Sequence, residues 1–143
     1  MGFFSNLFKK GDEPTRQYSD AVLGTMQWCE DAESWLGEYR GTKFSLAYDG
    51  AVSPAGKLIA YAIDILADRQ WLESSLANAK REARREYGDF YQSEIDSLAF
   101  GEIHFYLYKG NCRILGNLEG GKDDRLWRIE YGDRHCYGIG FDR

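Results

Sequence analysis

Two histidines and three cysteines are the residues of this sequence best suited to nucleophilic or metal chemistry. His135 and Cys136 are adjacent, and Cys112 lies on an earlier predicted strand. Imidazole nitrogens and thiolate sulfurs bind zinc, but a structural zinc site takes four ligands with paired spacings. Because these three residues are too few and unpaired, we expect no metal ion here. The GDRH segment instead predicts a turn that leads into a strand.

The second histidine, His104, lies in the alternating segment IHFYLY. The alternation places His104, Tyr106 and Tyr108 on one face of a strand and the apolar residues on the other. Nucleophilic catalysis needs a serine or cysteine beside a base, and no recognisable motif surrounds His104. Three interpretations stay open: this face is covered by helices, it binds a partner protein, or it lines a cleft between sheet and helices.

Two further motifs lack the context that their chemistry requires. Gly138 and Gly140 form a GIG, but a phosphate-binding loop needs its glycines between a strand and a helix, and these two alternate with strand residues. The basic run KREARRE is interrupted by Glu82 and Glu86 and has no interleaved aromatic residues for stacking on bases. We therefore predict a solvated helix face, no cofactor, and no catalytic residue.

The charge balance favours a cationic partner over nucleic acid. The chain has 18 basic and 23 acidic residues and a net charge of −5. Phosphate binding needs a positive surface, so this composition argues against a general nucleic-acid-binding protein. Residues 12–50 hold eight acidic residues against Arg16, Arg40 and Lys43. Four of those acidic residues are the predicted contacts with a basic partner: Glu30, Asp31, Glu33 and Glu38.

The cysteines and the hydropathy pattern indicate a cytoplasmic protein. Cys29, Cys112 and Cys136 cannot all pair within one chain and none belongs to a CxxC motif. We therefore expect reduced thiols. No segment approaches the roughly 20 apolar residues that cross a bilayer, and the start of the sequence lacks the pattern of a secretory signal.

The first 17 residues read as an amphipathic arm and linker that precede a single domain over residues 18–143. In MGFFSNLFKK, the apolar residues Phe3, Phe4, Leu7 and Phe8 share one helical stripe. A helix this short is marginal in water unless it docks on something. The arm docks on its own domain, on a membrane surface or in a partner's groove; the sequence leaves these alternatives open.

The remaining pattern predicts an α+β domain. We expect a mainly antiparallel sheet of about seven strands, three N-terminal and four C-terminal, with a central helical segment packed on one face. Ser53 and Pro54 predict a helix start, with serine as N-cap and proline at the first helical position. A second helical stretch, over about 68–87, is either continuous with the first or separated by a kink. Ser93 predicts the cap of a short helical turn. The predicted strands cover residues 22–28, 34–40, 43–48, 100–108, 112–118, 126–131 and 136–142.

Most of this chain resembles a loosely defined bacterial family of small α+β domains of unknown function. The resemblance covers about residues 21 to 143 and includes LGTMQWCEDAESWLGEYRGTKFSLAYDG, the helical stretch, IHFYLYKG and the closing strands. It depends on spaced aromatic residues and glycines: Gly24, Trp28, Trp35, Gly37 and Phe44. Because relatives of that kind occur among immunity proteins, the resemblance implies a protein that neutralises a toxin. It supplies no family active site.

Together these observations predict a non-catalytic binding protein, most concretely an immunity-type inhibitor that covers the surface of a bacterial toxin. One alternative is an enzyme or small-ligand-binding domain with a cleft around His104. Another is a membrane-surface adaptor tethered by residues 1–10. The oligomeric state stays open.

Overall fold

The computed structural model describes residues 16–47, 53–122 and 125–142, with the backbone only at Asp142. Within these ranges the chain forms eight strands and three helices. The strands are β1 (Gln17–Asp20), β2 (Gly24–Cys29), β3 (Ser34–Tyr39), β4 (Thr42–Ala47), β5 (Ala99–Tyr108), β6 (Asn111–Glu119), β7 (Leu126–Gly132) and β8 (His135–Asp142). The helices are α1 (Gly56–Ala67), α2 (Arg69–Tyr87) and α3 (Gln92–Asp96), and a 3₁₀ turn spans Asp89–Tyr91.

All eight strands belong to one sheet whose spatial order follows the sequence, from β1 to β8. Neighbouring strands are antiparallel, except that β4 and β5 are parallel. Parallel neighbours need a crossover connection, which here consists of the helices. The protein is therefore α+β, as the sequence predicts, and two four-strand meanders meet at the β4–β5 contact in the middle of the sheet.

The helices pack on one face of the sheet and form the core there. Leu58, Ala62 and Ile65 of α1 are fully buried. The ring of Tyr61 meets the ring of Phe105 on β5 edge to face, with 6.1 Å between centroids. Nearer the β8 side of the sheet, the ring centroid of Trp71 on α2 lies 5.1 Å from that of Tyr131 on β7. Each large apolar side chain buried in this way, such as Leu58 or Ile65, contributes roughly 1.5–3 kcal/mol, so apolar burial fixes the helices to this face.

The boundaries of the helices differ from the sequence-based prediction at two caps. The capping prediction for Ser53 and Pro54 is wrong, since α1 begins at Gly56 after Ala55 and has no side-chain cap. The prediction for Ser93 is wrong as well, because α3 begins one residue earlier, after Tyr91. Asp68 separates α1 from α2, and its carboxylate accepts a hydrogen bond from the Trp71 N–H at 3.1 Å.

The seven predicted strands correspond to β2 to β8, and β1 is an addition that the sequence pattern did not indicate. β1 has the sequence QYSD, in which Tyr18 is the only large apolar residue, so its residue types lack the apolar–polar alternation on which strand prediction depends. It starts at Gln17, one residue before the predicted domain boundary. Residues 1–15 lie outside the described residues, and so do the predictions made for Phe3, Phe4, Leu7 and Phe8.

Three tight turns connect antiparallel neighbours through two residues that both have positive φ. They are Arg40–Gly41, Lys109–Gly110 and Asp133–Arg134. Positive φ at both central positions defines the type I′ turn, whose twist matches that of a β-hairpin.

No helix in the described part of the chain has the length and apolarity needed to cross a membrane.

Candidate binding surface on the open sheet face

The sheet face that points away from the helices carries the residues of functional interest, and we call it the open face. Side chains alternate between the two faces along each strand. Phe105 points toward α1, so its neighbours His104 and Tyr106 point to the open face. Ser45 pairs with His104 in register and therefore shares this face. The described helices α1, α2 and α3 lie on the other face, so they do not cover His104, and a cleft between the sheet and these helices does not include it. The alternative of an enzyme or small-ligand-binding domain stays a prediction.

Ser45, His104 and Glu102 form a hydrogen-bond network across the parallel β4–β5 pair. The Ser45 Oγ lies 2.7 Å from Oε1 of Glu102 and 2.6 Å from Nδ1 of His104. An ionised carboxylate only accepts, so the single serine proton goes to Glu102. The Nδ1 of His104 must then carry the proton that it donates to Ser45. This assignment leaves Nε2 of His104 as a hydrogen-bond acceptor.

This network has the residue types of a hydrolase triad but not its order. In a catalytic triad the histidine is between the serine and the carboxylate and removes the serine proton. Here the serine is in the middle, its proton is held by Glu102, and its side chain is only 1% exposed. Burial lowers the pKa of His104, although the charge of Glu102 opposes that shift. The arrangement suits a neutral imidazole and a satisfied polar network more than a nucleophile.

An aromatic cluster with one arginine lies beside this network. Tyr106 stacks on His104 with 5.9 Å between ring centroids. The guanidinium of Arg113 lies 4.4 Å from the ring centre of Tyr108 and 4.9 Å from that of Tyr137. Tyr108 is 45% exposed and Tyr137 is 57% exposed. We call Tyr106, Tyr108, Arg113 and Tyr137 the tyrosine–arginine cluster.

The acidic β2–β3 turn lies at the same end of the sheet as this cluster. Cys29 pairs with Ser34 and Ser34 pairs with Ala47, so the turn lies beside the end of β4. Because β4 and β5 are parallel, that end also carries Tyr108. Strands are about 4.8 Å apart, so about 14 Å separate β3 from β6, which carries Arg113. We call this end of the sheet the Tyr108 end.

The structure groups three of the four predicted acidic contacts and separates the fourth. Glu30, Asp31 and Glu33 are exposed in the β2–β3 turn. Glu30 accepts a hydrogen bond from the Trp28 indole at 3.0 Å. Glu38 is exposed near the opposite end of β3 and pairs in register with Lys43. Opposite charges facing each other across strands stabilise the sheet, so Glu38 is the least suited of the four to attract a basic partner.

The residues that raised the question of a metal site lie apart in the sheet. The thiol of Cys112 lies 3.8 Å from the carbonyl oxygen of Lys57 on α1. Cys136 pairs with Tyr131 in register, whereas His135 is exposed and meets the Tyr137 ring edge to face. Within the described ranges, no three His, Cys, Asp or Glu side chains are placed to hold a metal ion.

Sequence reasoning missed a buried ion pair that anchors α3 to the start of β7. The Arg125 Nε–H donates to both carboxylate oxygens of Glu94, at 3.0 and 2.9 Å. The Trp127 indole and the Lys122 N–H donate to the same carboxylate. These bonds, with that of Arg125 first, lower the pKa of Glu94 to about 2 even though burial opposes the shift. The sequence signal was weak, because Glu94 and Arg125 are separated by 31 residues.

It also missed Ser45, Glu102, Arg113 and Tyr137. Alternation places Ser45 and Glu102 on the faces where they are found, but nothing in the sequence shows that β4 and β5 are neighbours. Tyr137 reaches the open face because the pairing of β7 with β8 is irregular between Glu130 and Tyr131.

Comparisons of the chain with protein-family models, curated proteins and solved structures find no match.

Proposed function

We propose that this protein is a non-catalytic binding protein, most concretely an immunity-type inhibitor that covers the surface of a bacterial toxin. The resemblance to a family with immunity proteins among its relatives stays a prediction. The side chains at the Tyr108 end of the sheet support the proposal.

The tyrosine–arginine cluster is the observation that carries the proposal. Tyrosine and arginine are enriched at the energetic centres of protein interfaces. Arg113 is held between Tyr108 and Tyr137, so it would lose little conformational freedom on binding. Two large rings that remain about half exposed offer apolar area without a rearrangement of the sheet. The open face is therefore suited to a protein partner.

The charge of the β2–β3 turn indicates which kind of partner fits. Glu30, Asp31 and Glu33 present three carboxylates to solvent within four residues. Complementary charge raises the rate of association and disfavours partners of like charge. A basic face on the toxin, next to an apolar or aromatic patch, would match this end of the sheet.

We also propose a cytoplasmic location and a direct mode of action. Cys29, Cys112 and Cys136 are free thiols, as in proteins kept in a reducing compartment. The Ser45 hydroxyl is buried and donates its hydrogen bond to Glu102. This favours inhibition by covering the surface of the toxin over inhibition by chemical modification of the toxin. The membrane-adaptor alternative depends on residues 1–10, and equal liposome flotation of the full chain and a form without those residues would eliminate it.

Co-expression with the product of the adjacent reading frame tests the proposed function. That product alone should stop growth, and the full-length protein should restore it. Ser45→Ala, checked for folding by circular dichroism, should restore growth equally well, since no serine nucleophile is involved. An adjacent product without toxicity, or toxicity that the wild-type protein does not relieve, would contradict the proposal. Loss of rescue by a folded Ser45→Ala variant would favour the enzyme alternative.

A further inference from the structure

The two edges of the sheet are protected to different degrees. An edge strand presents unpaired N–H and C=O groups, and proteins usually blunt such edges with short strands, charges, prolines or bulges. β1 has four residues and ends at Asp20. β8 has eight residues, HCYGIGFD, without lysine or proline. Its pairing irregularity lies near Tyr137, which leaves Gly138 to Asp142 as a regular stretch. Within the described ranges, no strand lies on the outer side of β8.

A groove of about 490 Å³ runs between this edge and α2, and we call it the edge groove. One wall is a stripe of α2 from Trp71 to Glu86, and the other is β8 from His135 to Ile139. Gly138 is exposed, and the direction in which a Cβ would point is empty to 4 Å. Gly138 also lines the groove, and as a glycine it has no side chain there that would hinder an approaching strand.

The floor and the walls of the edge groove differ in chemistry. Trp71 and Tyr131 pack against each other at one end of the floor, where the Tyr131 and Ser75 hydroxyl oxygens are 3.1 Å apart. Ile139 adds apolar surface. An apolar side chain that enters the groove can therefore bury its surface there.

The charged groups of the groove favour a cation. Glu82 and Glu86 line the α2 wall and are exposed. Glu82 forms an exposed ion pair with Arg85 at 3.2 Å, which contributes little. Arg134, the cation at the other end of the groove, already binds Asp68 at 2.6 Å and Asp64 at 3.0 Å. A lysine or arginine side chain of a ligand would meet the carboxylates of Glu82 and Glu86, whereas these carboxylates would repel an acidic ligand.

We propose that β8 and α2 form a docking site for an extended, basic segment of a partner protein, which adds to the sheet as a ninth strand. Main-chain groups of the segment pair with the outer edge of β8, as in other cases of strand addition. An apolar side chain lies on the floor between Trp71 and Ile139, and a lysine or arginine pairs with Glu86 or Glu82. This site is independent of the proposed toxin inhibition.

Three fluorescein-labelled ten-residue peptides test the docking site on the full-length protein. The first alternates valine and lysine, the second replaces each lysine with glutamate, and the third is the first with methylated backbone nitrogens at alternate residues. The lysine peptide should bind and shift the amide resonances of residues 135–142. The other two should bind at least about tenfold more weakly, because charge complementarity or backbone pairing is lost.

Variants locate the binding within the protein. Glu82→Gln with Glu86→Gln should weaken the lysine peptide about tenfold, whereas the exposed Glu73→Gln control on the same helix should not. Four results would overturn the proposal: no binding at millimolar peptide, equal binding of the methylated peptide, shifts outside β8 and α2, or a dimer paired through β8. Protection of the β8 amides in the free protein that vanishes when residues 1–10 are removed would also overturn it, since the chain's own arm would then be the occupant.

Discussion

The Oγ of Ser45 lies 2.6 Å from the Nδ1 of His104 across the parallel β4–β5 pair. This contact fixes the tautomer of His104 and places its ring against Tyr106. The same serine donates to Glu102, so a chain of two hydrogen bonds connects the imidazole to a carboxylate. The side chains of Ser45, His104 and Glu102 therefore hydrogen-bond to one another. The exposed rings beside them, those of Tyr108 and Tyr137, are available for contacts with other molecules.

His104 should titrate below its usual pKa of 6.5, because burial disfavours the imidazolium. The unfolded chain then binds this proton more readily than the folded one, so the stability contributed is complete above about pH 6.5 and declines as the pH falls. NMR titration of the His104 imidazole gives the midpoint. Thermal unfolding between pH 7 and 5 should show a smaller decline for His104→Asn than for the wild type. A midpoint at or above 6.5 would contradict this account.

Glu94→Gln should destabilise the protein by roughly 3 kcal/mol, because it neutralises a buried carboxylate that accepts hydrogen bonds from Arg125, Trp127 and Lys122. The lowered pKa of about 2 gives the wild type a contribution that is present above pH 4.5 and is lost as the pH falls toward 2. Urea denaturation at pH 7 and pH 3 measures both effects, and the variant should show the weaker dependence on pH. Asp96→Asn breaks the more exposed pair with Arg84 and serves as a control that should cost less than about 1 kcal/mol. Similar losses for the two variants would refute the special role of Glu94.

Gly132→Ala should disturb the tyrosine–arginine cluster. A Cβ on Gly132 would lie 2.5 Å from a ring carbon of Tyr137, so the ring must move. Such overpacking costs roughly 1–3 kcal/mol. Gly138→Ala is a matched control on the neighbouring strand, since its Cβ meets nothing within 4 Å. Denaturation midpoints and the NMR shifts of the Arg113 guanidinium compare the two. If the two variants have equal denaturation midpoints and neither changes the NMR shifts of Arg113, the Tyr137 ring does not restrict the size of the residue at position 132.

Asp31→Asn combined with Glu33→Gln should slow association with the toxin about three- to tenfold at low salt and leave dissociation nearly unchanged, because these exposed charges act mainly on encounter. Stopped-flow measurements at two salt concentrations give both rates. Glu73→Gln with Asp89→Asn removes the same charge from other exposed positions and serves as the control. An equal effect of both pairs would mean that net charge, and not the β2–β3 turn, steers the encounter.

Local patterns were enough to predict much of the fold. Alternation and turn residues indicated β2 to β8, and the face carrying His104, Tyr106 and Tyr108 followed from the same alternation. The contact of Ser45 with His104 could not be predicted, because it joins residues 59 apart across a strand pairing that no sequence pattern marks. The position of Tyr137 over Gly132 depends on a local irregularity between β7 and β8. Helix starts were misjudged because Ser53 and Ser93 are favourable caps that the chain does not use.

The affinity of the toxin for a Tyr108→Ala, Arg113→Ala variant tests most directly the claim that this protein acts through its open face. Phe90→Ala removes a ring near α3 that is 86% exposed, more than that of Tyr108, and is the control. Isothermal titration calorimetry should show a dissociation constant at least about tenfold higher for the double variant and an unchanged one for the control. An unchanged constant for a folded Tyr108→Ala, Arg113→Ala variant would contradict the account.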